Sequence, residues 1–354
     1  MAQRHLIDLS DLSLQELDAI ISLAVKIMEN PQDYDQVMKG RIMATLFYEP
    51  STRTQLSFQT AMLRLGGQVI GFSNPENSSV SKGETLKDTI RIVSGYSDLI
   101  VLRHPLEGAA KAASLYSGCP ILNAGDGGHL HPTQTLTDLV TLVQEKKTLS
   151  GLTIGLCGDL KNGRTVHSLV KAMCRYPGNR FLFISTPQLR MPQYVKDLLD
   201  TLNCPYRELD SLEEAIAGLD VLYMTRIQKE RFTSEEEYLA QKDVYTLTLD
   251  KLEKAKYDLK ILHPLPRVDE IADEVDGDSR AVYFKQAIYG MYARMALIAT
   301  LFSSGLRQGA PAGELHAHCK NPRCISASEH YLPALFHESG GMIECAYCSQ
   351  RELI

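Results

Sequence analysis

The sequence has no long apolar run and no excess of positive charge. No segment approaches the length of a membrane span, and the first residues, MAQRHLIDLSDLSLQEL, lack the apolar core of a signal peptide. The net charge is −6, which excludes nucleic-acid binding through a broadly basic surface. Any anion site must therefore consist of local arginines. We expect a cytoplasmic protein that binds neither membranes nor nucleic acid.

The chain also lacks a dinucleotide-binding fingerprint. Gly155, Gly158 and Gly163 in the segment CGDLKNGR are spaced differently from the glycines of G-x-G-x-x-G. We therefore do not expect a nicotinamide cofactor. Short-period repeats and low-complexity segments are absent as well.

What the sequence does contain is an alternation of apolar strands and amphipathic helices. RIMATLFYE (41–49) and QVIGF (68–72) flank a helical pattern that Gly66-Gly67 ends, which is typical of a βαβ unit and a parallel sheet. Further strands are predicted at 98–104, 119–125, 153–159, 180–186, 220–226 and 259–265, with helices near 132–144 and 287–305. The predicted fold is α/β, with two doubly wound parallel-sheet lobes and a small C-terminal β module.

The stretch EPSTRT (49–54) places three hydroxyls and an arginine where a strand ends and a helix begins. Ser51 is at the predicted N-cap, where free backbone N–H groups and the helix dipole attract an anion. Thr52 and Thr54 add hydroxyl donors, and Arg53 adds a guanidinium suited to phosphate or carboxylate. The alternative is a capping serine beside an incidental surface arginine.

Polar side chains also follow the other predicted strands. Arg103 and His104 follow one strand, His131 and Gln134 the next, and Arg164, Arg226, Gln228 and the segment HPLPR (263–267) follow those of the second lobe. Strand carboxyl ends in open α/β sheets meet at one crevice. Each residue alone has a structural explanation, but together the four arginines predict substrates carrying several negative charges.

The motifs STRTQLSF, SSVSKGET, LRHP, HPTQTLTDL, GDLKNGRTVHSL, MTRIQKER and HPLPR, in this order, resemble the catalytic chains of the aspartate carbamoyltransferases. The resemblance spans about residues 5–305. STRT alone is similar to all carbamoyltransferases. In an ornithine enzyme we would expect a cysteine in place of the first proline after His263, and MTRIQKER suits a dicarboxylate better than a cationic amino acid.

The resemblance implies transfer of a carbamoyl group from carbamoyl phosphate to L-aspartate in pyrimidine biosynthesis, without a catalytic metal. It implies that Ser51, Thr52, Arg53 and Thr54 hold the phosphate, that Arg103 bridges phosphate and carbonyl oxygen, and that His131 and Thr54 polarise the carbonyl. Gln134 and the backbone around Pro264 and Leu265 would bind the carbamoyl nitrogen. Arg164, Arg226 and Gln228 would bind aspartate.

Taken alone, the polar segment NSSVSKGET (77–85) is typical of a surface loop. The resemblance implies that Ser79 and Lys82 enter the active site of an adjacent chain, where Lys82 contacts aspartate and takes part in catalysis. The implied assembly is a homotrimer or a dimer of trimers. The implied domains are a carbamoyl phosphate-binding domain (1–132 with the returning helix 286–305), an aspartate-binding domain (133–285), a linker (306–318) and a cysteine module (319–354).

The eight cysteines are unevenly distributed. Cys119, Cys157, Cys174 and Cys204 are scattered, and we expect them to be reduced thiols. Cys319 and Cys324 form C-x4-C, and Cys345 and Cys348 form C-x2-C, which is typical of a closed structural zinc site, one ion per chain. Two disulfides are the alternative.

CKNPRCIS and CAYC resemble the zinc domain of the aspartate carbamoyltransferase regulatory chain. The linker leaves no room for the nucleotide-binding domain that precedes this zinc domain there, so we expect a fusion protein without the effector site. The module would hold catalytic chains together, docked on its own or on a neighbouring chain. A nucleic-acid-binding ribbon is disfavoured because acidic residues offset Lys320, Arg323 and Arg351.

Two other functions stay open at this point. One is a non-catalytic scaffold or regulatory partner with a carbamoyltransferase-like fold. The retention of Arg53, Arg103, His131, Arg164 and Arg226 argues against it. The other is a carbamoyltransferase for a different amino acid.

Overall fold

The computed structural model describes residues 5–227, 232, 234–239, 241, 244–303, 313–314, 318–339 and 342–353. The chain divides into two compact units, one comprising Met1–Leu136 and Met291–Ile354 and the other Thr137–Gly290. The functional domain boundaries given above stay a prediction. Among the described helices, none is long and apolar enough to cross a membrane.

The first unit contains a four-stranded parallel sheet. Its strands are β1 (Ile42–Phe47), β2 (Gln68–Phe72), β3 (Leu99–His104) and β4 (Ile121–Asp126), in the order β2-β1-β3-β4. Its helices are α1 (Leu14–Glu29), α2 (Thr52–Arg64), α3 (Leu86–Tyr96) and α4 (Ala109–Ser114). All residues of β3 and β4 are buried. β3 lies inside the sheet, and the edge strand β4 is covered by Leu6, whose backbone pairs with Ile121 and Asn123.

The second unit contains a five-stranded parallel sheet. Its strands are β5 (Thr153–Cys157), β6 (Arg180–Ile184), β7 (Tyr206–Leu209), β8 (Val221–Met224) and β9 (Lys260–Leu262), in the order β7-β6-β5-β8-β9. Its helices are α6 (Arg164–Met173), α7 (Gln193–Thr201), α8 (Leu212–Ala215), α9 (Glu235–Leu239) and α10 (Leu249–Leu252). Two helices, α5 (Pro132–Lys146) and α11 (Tyr283–Ser303), carry the chain from one unit to the other.

The cysteine module is a small antiparallel sheet. Its strands β10 (Gly313–Glu314), β11 (Leu335–Ser339), β12 (Met342–Cys345) and β13 (Arg351–Leu353) pair in chain order, and a short helix, α12 (Ile325–Ser328), precedes β11. The fold class predicted from the sequence is confirmed. Most of the predicted linker and Gly305, the predicted end of α11, lie outside the described residues.

Several predicted strands end earlier than expected. β5 stops at Cys157 because the chain turns at Gly158, which has φ +116°, and a Cβ there would lie 2.5 Å from the Thr225 carbonyl oxygen. β9 stops at Leu262 because the side chain of His263 binds the backbone two residues on. The predicted bounds follow runs of apolar residues, and these runs extend beyond the residues whose backbones pair in the sheet.

Candidate active site and four-cysteine module

The stretch EPSTRT forms the turn from β1 into α2. Ser51 is the N-cap residue as predicted, but its hydroxyl donates to Thr54 Oγ1 at 3.0 Å instead of capping the backbone. No side chain of the described residues caps this helix end. The backbone N–H groups of the first turn therefore face outward with the positive end of the helix dipole, which is the geometry of an anion site.

Arg103 lies at the end of the neighbouring strand β3, with 8% of its surface exposed. Its Nη2 is 2.9 Å from Glu49 Oε2, its Nη1 donates to the Ala124 carbonyl oxygen at 3.1 Å, and Nη1 lies 3.4 Å from His131 Nε2. Burial lowers the pKa of Arg103, and the charge of Arg53 lowers it further, while Glu49 opposes both. Two arginines close enough to repel each other favour an anion between them.

The close approach of Arg103 depends on a glycine. Gly125, in β4, has φ +120°, and a Cβ at this position would lie 2.6 Å from Arg103 Nη1. Only glycine accepts both the backbone conformation and the guanidinium beside it.

The turn from β4 into α5 is organised by the buried Asp126. Its carboxylate accepts from the backbone N–H groups of Gly108 at 2.7 Å and Leu130 at 3.1 Å, and it also contacts His129 Nδ1 at 3.2 Å. His131 follows directly, and Gln134 donates its backbone N–H to the His131 carbonyl oxygen. The sequence analysis did not identify Asp126. Nothing in the local sequence shows that its side chain binds both the loop before α4 and the loop before α5.

β1, β3 and β4 are neighbours in the sheet, so their carboxyl ends meet at one edge. The structure therefore brings together the residues predicted for carbamoyl phosphate in this unit: Ser51, Thr52, Arg53, Thr54, Arg103, His131 and Gln134. The structure does not test their roles, which stay predictions.

The second unit carries the arginines predicted for aspartate and the HPLPR segment, whose Pro264 and Leu265 were predicted for carbamoyl phosphate. β5, β8 and β9 are adjacent, and Arg164, Arg226 and the HPLPR segment follow their carboxyl ends. Arg164 is the first residue of α6, after a turn in which Asn162 donates its backbone and side-chain N–H groups to Asp159. Gln228 lies outside the described residues.

The HPLPR segment contains a buried histidine–carboxylate pair. His263 Nε2 is 2.7 Å from Glu270 Oε1, and His263 Nδ1 accepts from the Leu265 N–H at 2.7 Å. Nδ1 is thus the acceptor, and Nε2 carries the proton that Glu270 accepts. The pair fixes the backbone of Pro264 and Leu265, and sequence reasoning missed it because Glu270 belongs to no recognised motif.

The loop before α3 is exposed. Ser79–Lys82 forms a single 3₁₀ turn, with the Ser78 hydroxyl accepting from the Val80 N–H. Both Ser79 and Lys82 are exposed to solvent.

The four C-terminal cysteines converge on one point. Their Sγ atoms all lie within 4.8 Å of one another, with Cys319 and Cys348 separated by 3.5 Å and Cys324 and Cys345 by 3.9 Å. Ligands about 2.3 Å from a tetrahedral zinc ion would be about 3.8 Å apart. The sulfurs are too far apart for disulfides, whose S–S length is about 2.05 Å. The residues therefore fit a four-thiolate metal site.

The module packs onto the parallel-sheet part of the first unit, to which it belongs. The backbone of Glu107 donates to the Arg323 carbonyl oxygen and accepts from the Ile325 N–H, each at 2.9 Å. Gly108, with φ +82°, lies against Tyr347, so close that a Cβ would meet the Tyr347 carbonyl carbon at 2.6 Å. Metal-site cysteines and strand residues share one apolar core, which includes Cys324, Phe336, Cys345, Leu102, Ala109 and Ala113.

Comparison with known proteins agrees with this arrangement. Residues 4–144 match the family model for the aspartate/ornithine carbamoyltransferase carbamoyl-P binding domain, and residues 150–301 match the Asp/Orn binding domain. The chain belongs to the aspartate/ornithine carbamoyltransferase family. The predicted family is thereby confirmed. The cysteine module lies outside both matched ranges, and its resemblance to the regulatory chain stays a prediction.

Several relatives of this carbamoyltransferase are closely similar. The aspartate carbamoyltransferase catalytic subunit of Clostridium perfringens is 61% identical over 302 residues, which cover 85% of this chain and 98% of that protein. The catalytic subunit of M. jannaschii aspartate transcarbamoylase superposes with a TM-score of 0.80 at 48% identity, over 84% of this chain and 98% of that one. Aspartate transcarbamoylase from Trypanosoma cruzi in complex with N-(phosphonacetyl)-L-aspartic acid gives 0.79 at 40% identity, over 84% and 96%.

Proposed function

We propose that this protein is an aspartate carbamoyltransferase that converts carbamoyl phosphate and L-aspartate to N-carbamoyl-L-aspartate and phosphate. The observation that carries the proposal is the 61% identity to an aspartate carbamoyltransferase catalytic subunit across nearly all of that protein. The grouping of Arg53, Arg103 and His131 at one sheet edge supports an active enzyme over a scaffold. The route is pyrimidine biosynthesis, in which this product is formed.

The first unit binds carbamoyl phosphate. The N-terminus of α2 and the hydroxyls of Ser51, Thr52 and Thr54 hold the phosphate oxygens, and Arg53 and Arg103 neutralise their charge. Because Arg103 is held by Glu49 and the Ala124 carbonyl oxygen, its guanidinium is oriented before the substrate arrives. This preorganisation is what makes a charged donor effective in a transition state.

The reaction needs no covalent intermediate because carbamoyl phosphate is already activated. The deprotonated amine of aspartate attacks the carbonyl carbon, and the bond from that carbon to the phosphate oxygen breaks. Arg103, His131 and Thr54 stabilise the developing oxyanion, while Gln134 and the backbone carbonyls of Pro264 and Leu265 bind the carbamoyl NH2 group. The proton of the attacking amine goes to the departing phosphate.

The second unit binds aspartate. Arg164 and Arg226 pair with its two carboxylates, and Gln228 contributes a further hydrogen bond. Lys82, with Ser79, enters from an adjacent chain, which makes the working form a homotrimer or a dimer of trimers. The exposure of Ser79 and Lys82 in the single chain supports this assignment.

The cysteine module binds one structural zinc ion per chain. Four thiolates close the coordination sphere, so the metal contributes to folding and not to the reaction. Cys319, Cys324, Cys345 and Cys348 are the ligands, and the spacing of their sulfurs supports zinc. The module, which packs on its own chain, also holds catalytic chains in their assembly.

Turnover of the purified full chain tests the function. We expect N-carbamoyl-L-aspartate from carbamoyl phosphate and aspartate, competition by succinate, and no product from ornithine. Absence of carbamoyl transfer to any amine would show a scaffold. Transfer that no dicarboxylate inhibits would contradict the aspartate assignment.

A further inference from the structure

The N-terminus of α3 is capped by two different parts of the chain. The Thr85 hydroxyl accepts from the Asp88 N–H at 3.2 Å, which is an ordinary N-cap. The two preceding amides are bound by the cysteine module: the Lys87 N–H donates to the Tyr331 hydroxyl at 2.9 Å, and the Leu86 N–H donates to Glu329 Oε1 at 3.4 Å. The module thus satisfies amides that α3 cannot satisfy itself.

Side-chain packing supports the same contact. The Lys87 ammonium lies 4.6 Å from the centre of the Tyr331 ring, and this ring meets Tyr116 edge-on at 5.7 Å. The Glu329 carboxylate also lies at the positive end of the α3 dipole, where a negative charge is favourable.

The capping residues are close to the metal site in the chain. Cys324 is followed directly by α12, and the Glu329 N–H donates to the Ile325 carbonyl oxygen at 2.9 Å. Ile325 is itself anchored to the backbone of Glu107. The positions of Glu329 and Tyr331 therefore depend on the folding of the module around its cysteines.

The loop that carries Ser79 and Lys82 ends where α3 begins. Only Gly83, Glu84 and Thr85 separate Lys82 from the first residue of α3. A helix end that frays would release the base of this loop and widen the range of positions that Lys82 explores.

We infer that Glu329 and Tyr331 are positioning residues for the active-site loop 77–85, so that the metal-bound module acts on catalysis through the N-terminus of α3. This inference rests on the proposed function, since it assigns Lys82 to the active site. The module is then more than an attachment between chains.

Hydrogen exchange of the full chain tests the contact without reference to activity. In Tyr331→Phe, which keeps the ring but removes the acceptor, we expect the Lys87 amide to exchange about tenfold faster, the loss expected for one hydrogen bond. Removal of the metal should have at least the same effect. Tyr347→Phe is the matched control because its hydroxyl donates to Pro333 inside the module.

Kinetics test the link to Lys82. We expect Tyr331→Phe and Glu329→Gln to lower kcat/KM for aspartate severalfold at unchanged zinc content, whereas Glu338→Gln, an exposed change on β11, should have no effect. In a Ser79→Ala/Lys82→Ala background the Tyr331→Phe change should add nothing, because it acts through these two side chains of the loop.

The outcomes separate the two proposals. Unchanged exchange at Leu86 and Lys87 after metal removal, or an additive effect of Tyr331→Phe in the Ser79→Ala/Lys82→Ala background, would overturn the inference. A wild-type chain without carbamoyl transfer would overturn the proposed function instead, and the exchange experiment would still decide whether the module caps α3.

Discussion

Arg103 forms an ion pair with Glu49 and donates to the Ala124 carbonyl oxygen, and these contacts hold its guanidinium beside His131. A lysine would keep the charge but could not reach the same partners, because it has one nitrogen where arginine has a planar fork. The position should therefore tolerate neither a neutral nor a monodentate cationic residue.

We predict that Arg103→Lys lowers kcat/KM for carbamoyl phosphate by a factor of about 10²–10³, corresponding to loss of about 3 kcal/mol of transition-state stabilisation. Steady-state kinetics measure the effect. Arg41→Lys is the matched control, because Arg41 pairs with Asp98 on the exposed surface of the same unit. Equal activity of the two variants would remove Arg103 from the proposed site.

The surroundings of Glu270 determine how this residue contributes to the stability of the folded state. Burial would raise its pKa, but hydrogen bonds from His263 and from nearby backbone amides outweigh this, and the pKa lies below its usual value of 4.5. A carboxyl group whose pKa is lowered by folding stabilises the folded state above its unfolded-state pKa, and this contribution is lost as the pH falls through the folded pKa.

We predict that Glu270→Gln lowers the free energy of unfolding by about 1–3 kcal/mol near pH 7. The difference from the wild type should shrink as the pH falls below 4.5. Urea unfolding at several pH values measures it, with Glu253→Gln on the exposed surface as control. A difference that stays constant into acid would show that the Glu270 carboxylate is not the stabilising group.

At the scale of single elements, helix ends, short strands and loops were harder to predict from the sequence than the long strands were. α1 follows a capping box in which Ser13 and Glu16 bind each other's backbone N–H groups, a signal the sequence carries and our reading missed. β7, only four residues long, gave no apolar run to recognise. The β3–α4 loop is the clearest case, since its Glu107 and Gly108 contact the cysteine module.

We predict that Gly108→Ala displaces the module from this loop. Both Gly108 and Gly40 have positive φ, +82° and +76°, but a Cβ meets Tyr347 at the first and nothing within 4 Å at the second. Alanine should cost about 1–2 kcal/mol at either position and about 1–3 kcal/mol more at Gly108. Chemical unfolding and limited proteolysis of the module measure this. Equal losses would mean that the module does not rest on Gly108.

At the scale of the whole molecule, the module and the first unit share one apolar core. A site of four thiolates cannot persist without its metal, because the uncompensated ligands no longer hold the strands together. Loss of a metal from this site should therefore also disturb the α4 face that the module covers.

We predict that stripping the proposed zinc ion with a mercurial and a chelator lowers the melting temperature and opens residues 319–354 to protease. It should also expose apolar surface at Ala109 and Ala113, which are fully buried here. Differential scanning fluorimetry and native mass spectrometry follow stability and assembly together. The protein treated with chelator alone is the control. A stripped protein with unchanged melting and mass would contradict a structural role for the metal.

The sequence by itself determined the family, the α/β class, the polar residues that follow the strands and the four cysteines that cluster at one point. These follow from local signals: apolar periodicity, turn residues and ligand spacing are properties of short segments. Only the tertiary structure decided that Asp126 binds two loops, that His263 pairs with Glu270, and that Tyr331 caps a helix some 240 positions earlier in the chain. Such contacts join residues whose separate local patterns say nothing of each other, because packing and burial, rather than neighbouring sequence, select the partners.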